Sequence, residues 1–315
     1  MNSPTIHFVI SAPRSGSTWL ARALNQHPEI LATEHRFFGE FSETWRNNDG
    51  SYSPRITLDA YTAAFAGHYF HEALGLSRGQ FINQLQRNLM GTMIRLGSTR
   101  SGKSIIVDKI TPYPGTAATV RRQIEKFFPE SKVIQLVRDG RDVAVSGAFD
   151  WLLKDAEGTD RHRFFVRQDP GFVLNRFFDD TVLTKWAENW RETLEIFSTE
   201  RADLQITYEA MKADQASELH RFFGLLGVDD STELAARIAN DATFEKLTGR
   251  AAGQMEATAK ARKAVVGDWR NYFTRADGEL FQEIAGASLI ECGYESDASW
   301  FETLPEQLTE TQLDA

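Results

Sequence analysis

The 315-residue sequence predicts an α/β fold, a central parallel sheet flanked by helices. Two observations carry this. Four short apolar runs, at 7–11, 104–107, 132–137 and 203–207, look like buried parallel strands. Three of them are followed by residues at helical spacing. Leu20, Ala23 and Leu24 follow the first, Val143, Ala144 and Gly147 the third, and Met211, Leu219, Phe222 and Phe223 the fourth. Strand–helix alternation of this kind builds crossover units whose strands lie parallel.

Further helices are predicted between the strands. Residues 57–98 are amphipathic, with Tyr61, Phe65, Tyr69, Leu74, Phe81, Leu85, Leu89 and Ile94 on the apolar side. Residues 172–197 read as one long helix, with Trp186 and Trp190 on one face as core packing. No composition shift divides the chain, so 1–315 reads as one domain. Its polar, acidic end, 302–315, is expected to be loosely held.

Composition narrows the function. The formal net charge of −9 argues against a general nucleic-acid or anionic-membrane surface, so a basic cluster here is local and marks a site. A single cysteine, Cys292, cannot form an intrachain disulfide and suits a reducing compartment. No apolar run approaches the roughly 20 residues of a membrane-spanning helix. The N-terminus has no basic leader region. The expectation is a soluble, cytoplasmic protein.

Three segments carry chemistry. The first is Ile6 to Leu24, "IHFVISAPRSGSTWLARAL": a strand, a small-residue turn, then a helix. That is the layout of a phosphate-binding loop, in which backbone N–H groups and a helix N-terminus face an anion. Ser15, Gly16 and Ser17 allow close approach, Ser17 and Thr18 add hydroxyls, and Arg14 adds a fixed charge. A nucleoside-triphosphate loop would have Gly at Ser11 and Lys at Ser17; this chain has neither. The competing reading is a capped helix with nothing bound.

The second segment is "SKVIQLVRDGRDVAVSGAFDW". Arg138 follows the strand directly, facing the crevice where open α/β sheets bind ligands, and Ser146 lies eight residues on. Alternatively Arg138 and Arg141 simply pair with Asp139 and Asp142. The third segment is "KARKAVVGDWRNYF", Lys260 to Phe273, with the basic pair Arg262-Lys263 and a break at Gly267.

Together the three resemble the sulfotransferases that use 3′-phosphoadenosine 5′-phosphosulfate. Pro13-Arg14-Ser15-Gly16-Ser17-Thr18-Trp19-Leu20 matches that family's first signature. Arg138 and Ser146 match its second. Residues 262–273 match its third, Arg-Lys-Gly-x-x-Gly-Asp-Trp-Lys/Arg-Asn-x-Phe, at every fixed position except Ala264, where the family has Gly. The resemblance implies a fold with a P-loop-like nucleotide-binding core and helical insertions, and the following roles. Arg14 to Thr18 bind the 5′-phosphosulfate, and Trp19 stacks on adenine. Arg138 and Ser146 take the 3′-phosphate with Arg262 and Lys263. Tyr208, in "ITYEAM", and Phe244, in "ATFEKL", lie at the purine. No metal is implied, because a transferring sulfuryl group carries less charge than a phosphoryl group.

Transfer needs a base for the acceptor's proton. Relatives that use a Lys-Thr-His segment have His where this chain has Thr111, although Lys109 fits the Lys. Other branches resemble this chain in carrying a Glu soon after the first helix. Here His27-Pro28-Glu29 precedes Glu34-His35-Arg36-Phe37-Phe38, and Glu34 is the expected general base, with His35 and Asp108 as alternatives. An ion pair with Arg36 or another cation is the structural reading of Glu34. Insertions at about 40–100 and 150–185, carrying Phe37, Phe38, Trp45, Phe149, Trp151, Phe164 and Phe165, would form a pocket for a small-molecule, lipid, carbohydrate or peptide acceptor. Monomer and homodimer both stay open, since the family's dimer segment has Arg275 at its Val position. The rival functions are a metal-dependent kinase-like enzyme, with Asp108 holding Mg²⁺, and a nucleotide-binding module without activity.

Overall fold

The computed structural model describes residues 3–34, 38, 44–46, 52–54, 62, 74–112, 114–152, 159–198, 202–251, 253–254 and 263–309. Five parallel strands form the central sheet, in the order β2-β5-β1-β6-β7. They are β1 (Thr5–Ile10), β2 (Ile30–Glu34), β5 (Ile105–Ile110), β6 (Val133–Val137) and β7 (Leu204–Thr207). β3 (Thr44–Arg46) and β4 (Tyr52–Pro54) pair antiparallel as a separate ladder, inside the insertion expected at about 40–100.

The four predicted strands are all present, with ends shifted by up to three residues. The fifth, β2, has no apolar run to announce it. It is an edge strand, ILATE, whose burial is confined to Ile30 and Ala32. Alternate side chains serve opposite faces, as pleating requires. Ile6, Phe8 and Ile10 join a core with Met90 and Ile94 of α2 (Arg78–Ser101) and Val120 and Ile124 of α3 (Ala117–Phe127). Val9, with Val107, Ile134, Leu136 and Ile206, packs on the other face. Its partners are Leu20 and Leu24 of α1 (Ser17–Leu24) and residues of the helices after β7.

A third core cluster joins α4 (Gly140–Trp151) to α5 (Asp180–Ile196). Trp186 and Trp190 lie here as expected, 6% and 1% exposed. They fill space left by glycines: a Cβ at Gly147 would lie 2.2 Å from the Trp186 ring, and one at Gly140 would lie 2.5 Å from the Trp190 ring. Gly147→Ala is therefore expected to lower stability by about 1–3 kcal/mol through overpacking, measured by urea denaturation. Helix α5 begins at Asp180, not near Phe172. Asp179 caps it by accepting from Val182 N, and Phe177 and Phe178 turn into the core instead.

Further α-helices of five residues or more are α6 (Tyr208–Ala213), α7 (Gln215–Leu226), α8 (Thr232–Asp241), α9 (Phe244–Thr248) and α10 (Arg275–Glu291). Beyond α10 the chain docks as far as 309. Leu308 is 4% exposed, and its N–H donates to Asn175 O at 2.9 Å. No described helix is long and apolar enough to cross a membrane.

Candidate active site

The three motif segments converge at the carboxyl ends of β1 and β6, beside β7. Between β1 and α1 the backbone turns through two left-handed residues, Arg14 at φ 70° and Gly16 at φ 89°. Arg14 pays for that conformation with strain, a feature found where a loop is shaped for use. Gly16 could not be replaced cheaply, since a Cβ there would lie 2.6 Å from the Tyr208 ring. Helix α1 starts at Ser17 with no side chain capping it and no acidic residue in its first turn. Its N-terminal amides thus keep their positive end for an outside anion.

Arg138 ties the segments together. Its Nη1 donates to Arg14 O at 3.2 Å and its Nη2 to Val265 O at 3.2 Å. The guanidinium lies 4.3 Å from the centre of the Tyr208 ring. It is 8% exposed, and its Nε is buried with no hydrogen-bond partner among the described residues. Burial works against the charge. Asp142, with Tyr208, Glu209 and Asp139, outweighs it and holds the pKa above the ordinary arginine value.

Asp142 is the counter-charge, 3.4 Å from Arg138, and it also accepts from Gly267 N and Trp269 N, each at 2.9 Å. One carboxylate thereby fastens the third segment to the second. Its own pKa is raised by burial, with Arg138 and the two amides opposing. Arg141 is a structural cation. It pairs with Asp139 and Glu295 and lies 3.8 Å and 4.5 Å from the Trp269 and Trp300 ring centres. The pairings Arg138–Asp142 and Arg141–Asp139 therefore coexist with a cation at the crevice.

Arg14 reaches toward α4: Nε donates to Ser146 Oγ at 3.2 Å and Nη1 to Asp150 Oδ1 at 3.1 Å. Trp19 donates to Ala242 O at 2.6 Å and meets Tyr208 edge-on, with ring centres 5.8 Å apart. Phe244 opens α9, capped by Thr243, with Arg250 5.5 Å from its ring centre. Ser15 is fully buried, its Oγ without a partner among the described residues.

Glu34 and Lys109 are neighbours across the β2–β5 ladder. Lys109 Nζ donates to Glu34 Oε2 at 3.0 Å, and Thr18 Oγ1 donates to the same oxygen at 3.4 Å. The Glu34 side chain is 41% exposed, so it stands beside the first loop and open to solvent. The same ladder sets Thr33 on Asp108, whose Oδ1 accepts at 2.6 Å while the residue is fully buried.

Lys263 is placed differently from its expected use. Its ammonium donates to Asp268 Oδ1 at 3.1 Å, and both residues are buried. Arg262 and His35 lie outside the described residues. Ala264 has φ 55°, a left-handed conformation that glycine adopts without cost. Ala264→Gly is expected to stabilise the protein by about 0.5–1 kcal/mol, read as a raised urea midpoint.

An uncapped helix start, a buried orphan N–H on Arg138 and an orphan hydroxyl on Ser15 fit an anionic ligand. Arg138 and the α1 loop, drawn from separate strand ends, fit one with two anionic ends. Asp142 and Asp150 were missed as site residues by sequence reasoning. Their spacing was the available signal, each four residues beyond a motif residue on α4 or at its start.

A sequence profile for the sulfotransferase domain matches residues 4–293. The chain belongs to the sulfotransferase domain family. Human sulfotransferase 2A1 is 26% identical over 173 residues, 50% of this chain and 56% of its own. Cytosolic sulfotransferase 1 of Danio rerio is 29% identical over 176 residues, 51% of this chain and 55% of its own. This sulfotransferase-family chain thus aligns with little more than half the length of those relatives. Among solved structures it is similar to mouse sulfotransferase SULT7A1 complexed with PAP, at 22% identity and TM-score 0.47, over 89% of this chain and 84% of that one. It is also similar to the sulfotransferase domain of a Synechococcus olefin synthase, at 16% identity and TM-score 0.48, over 90% and 95%.

Proposed function

We propose that this chain transfers the sulfuryl group of 3′-phosphoadenosine 5′-phosphosulfate to a hydroxyl or amine of a small-molecule, lipid or carbohydrate acceptor. The observation that carries the reading is Arg138: a buried cation with an unused N–H, seated between the first and third segments. A nucleotide with a 3′-phosphate has a use for that cation, whereas an ordinary nucleoside triphosphate has nothing to place there.

In this reading the loop Arg14 to Thr18 and the α1 N-terminus hold the 5′ end. Arg138 and Ser146 hold the 3′-phosphate, with Arg262. Lys263 acts through Asp268, shaping the loop that ends at Gly267. Trp19, Tyr208 and Phe244 surround the base. When bound, the nucleotide supplies an activated sulfuryl group. Arg14 offsets charge developing on the oxygen that leaves sulfur, and cannot usefully donate a proton at neutral pH.

Glu34 takes the acceptor's proton on its carboxylate. It does pair with a cation, Lys109, as a structural role would require. What favours chemistry is its place: bonded to Thr18 of the loop and open to an incoming acceptor. Asp108, buried under the Thr33 hydroxyl, is poorly placed to reach one. The acceptor pocket is shared between the insertions, although Phe38 and Phe149 are committed to the core at 2% and 3% exposure. A cytoplasmic setting, as monomer or homodimer, completes the reading.

The test is a transfer assay with the phosphosulfate donor and an acceptor panel, following release of adenosine 3′,5′-bisphosphate, alongside calorimetry of that product against ATP with Mg²⁺. Tight, metal-independent binding of the bisphosphate with acceptor-dependent release supports the reading. Preference for ATP with Mg²⁺ sinks it, and binding without transfer to any acceptor leaves a nucleotide-binding module in its place.

A further inference from the structure

Arg14 is the only charged residue of the loop from Ser11 to Thr18, and it already has an anion of its own. Asp150 stands one turn beyond Ser146 on α4 and takes the neighbouring donor of the same guanidinium, at 3.1 Å. The two side chains are 19% and 26% exposed, so the pair is only partly shielded and a ligand can compete for it. Local rules do not favour a carboxylate at this position. Asp150 lies in the last turn of α4, which contains no basic residue, so it faces the negative end of the helix. A residue that breaks a local rule beside a loop shaped for an anion points to a use of that charge.

We propose that Asp150 is a competing carboxylate that offsets the charge of Arg14 and weakens the protein's hold on the 5′-anionic end of its nucleotide. The inference rests on the donor reading above. Its consequence is a product that stays exchangeable: once sulfur has left, the 5′-phosphate meets a cation that Asp150 reclaims.

The experiment is calorimetry on the full chain with two probes, adenosine 3′,5′-bisphosphate and adenosine 3′-monophosphate, which lacks the 5′ anion. Asp150→Asn is expected to tighten the bisphosphate about tenfold, the effect of deleting one like charge near a bound anion at protein-surface dielectric. The monophosphate should bind as it does to the parent chain, which also reports an intact fold. Unchanged or weaker bisphosphate binding, with the monophosphate unaffected, would show that Asp150 holds Arg14 in place for the ligand and overturn the proposal. Equal tightening of both probes overturns it too. Asp150→Ser is the second variant, and loss of both probes in both variants counts against a competing role. Failure of the parent chain to bind either probe overturns the donor reading itself.

Discussion

Glu34→Gln is expected to lower kcat by about 10²–10⁴-fold, the usual contribution of a positioned general base. Binding of adenosine 3′,5′-bisphosphate should be nearly unchanged. Glutamine keeps the shape and an oxygen that can accept from Lys109 Nζ and Thr18 Oγ1, which now share Oε2. The ladder between β2 and β5 is therefore retained, and what disappears is the capacity to take a proton. Single-turnover transfer with saturating donor and acceptor is the measurement. Retention of near-normal kcat would remove Glu34 from the chemistry and leave it as a cross-strand ion pair. A loss of stability with kcat intact would point the same way, as breaking a partly buried cross-strand pair would do.

The second large effect is expected at Arg138. Arg138→Ala should weaken adenosine 3′,5′-bisphosphate by about 10–100-fold, the range for losing a charge-assisted hydrogen bond, and should weaken AMP far less. Alanine also removes the ties to Arg14 O and Val265 O, so loop order could change along with charge. Arg138→Gln separates the two, keeping donors for a carbonyl while deleting the cation. If Gln behaves as Ala toward the bisphosphate, the charge is what the 3′-phosphate reads. If AMP and the bisphosphate lose affinity equally in both variants, Arg138 only braces the loops.

Legibility followed the range of the interactions. β1, β5 and β6 are buried on both faces and announce themselves as apolar runs, whereas β7, at the other edge with only Ile206 buried, is legible through the helical spacing that follows it. β2 is an edge strand with only Ile30 and Ala32 buried, and ILATE reads as nothing in particular. Helix α3, after β5, went unread for a related reason: its buried face is only Ala117, Val120, Ile124 and Phe127, set among charged residues. In the candidate site, motif spacing singled out Arg14, Arg138, Ser146 and Glu34. It could not say which cations were already taken. Lys263 and Asp268 are five apart in an irregular loop, so no helix or strand periodicity predicts their pairing. Ala264 was visible as a departure from the family pattern, and its positive φ explains why glycine stands there in relatives.

The seat of Arg138 has a consequence for which substitutions this chain can accept. Two of its ties run to main-chain oxygens, at residues 14 and 265, and every amino acid brings that oxygen with it. Those two ties set no demand on the side chains at these positions, and Arg14 is held instead by its own bonds to Ser146 and Asp150. Residue 14 can be retuned for the reaction, and residue 265 for whatever lies against the loop, without unseating the cation between them.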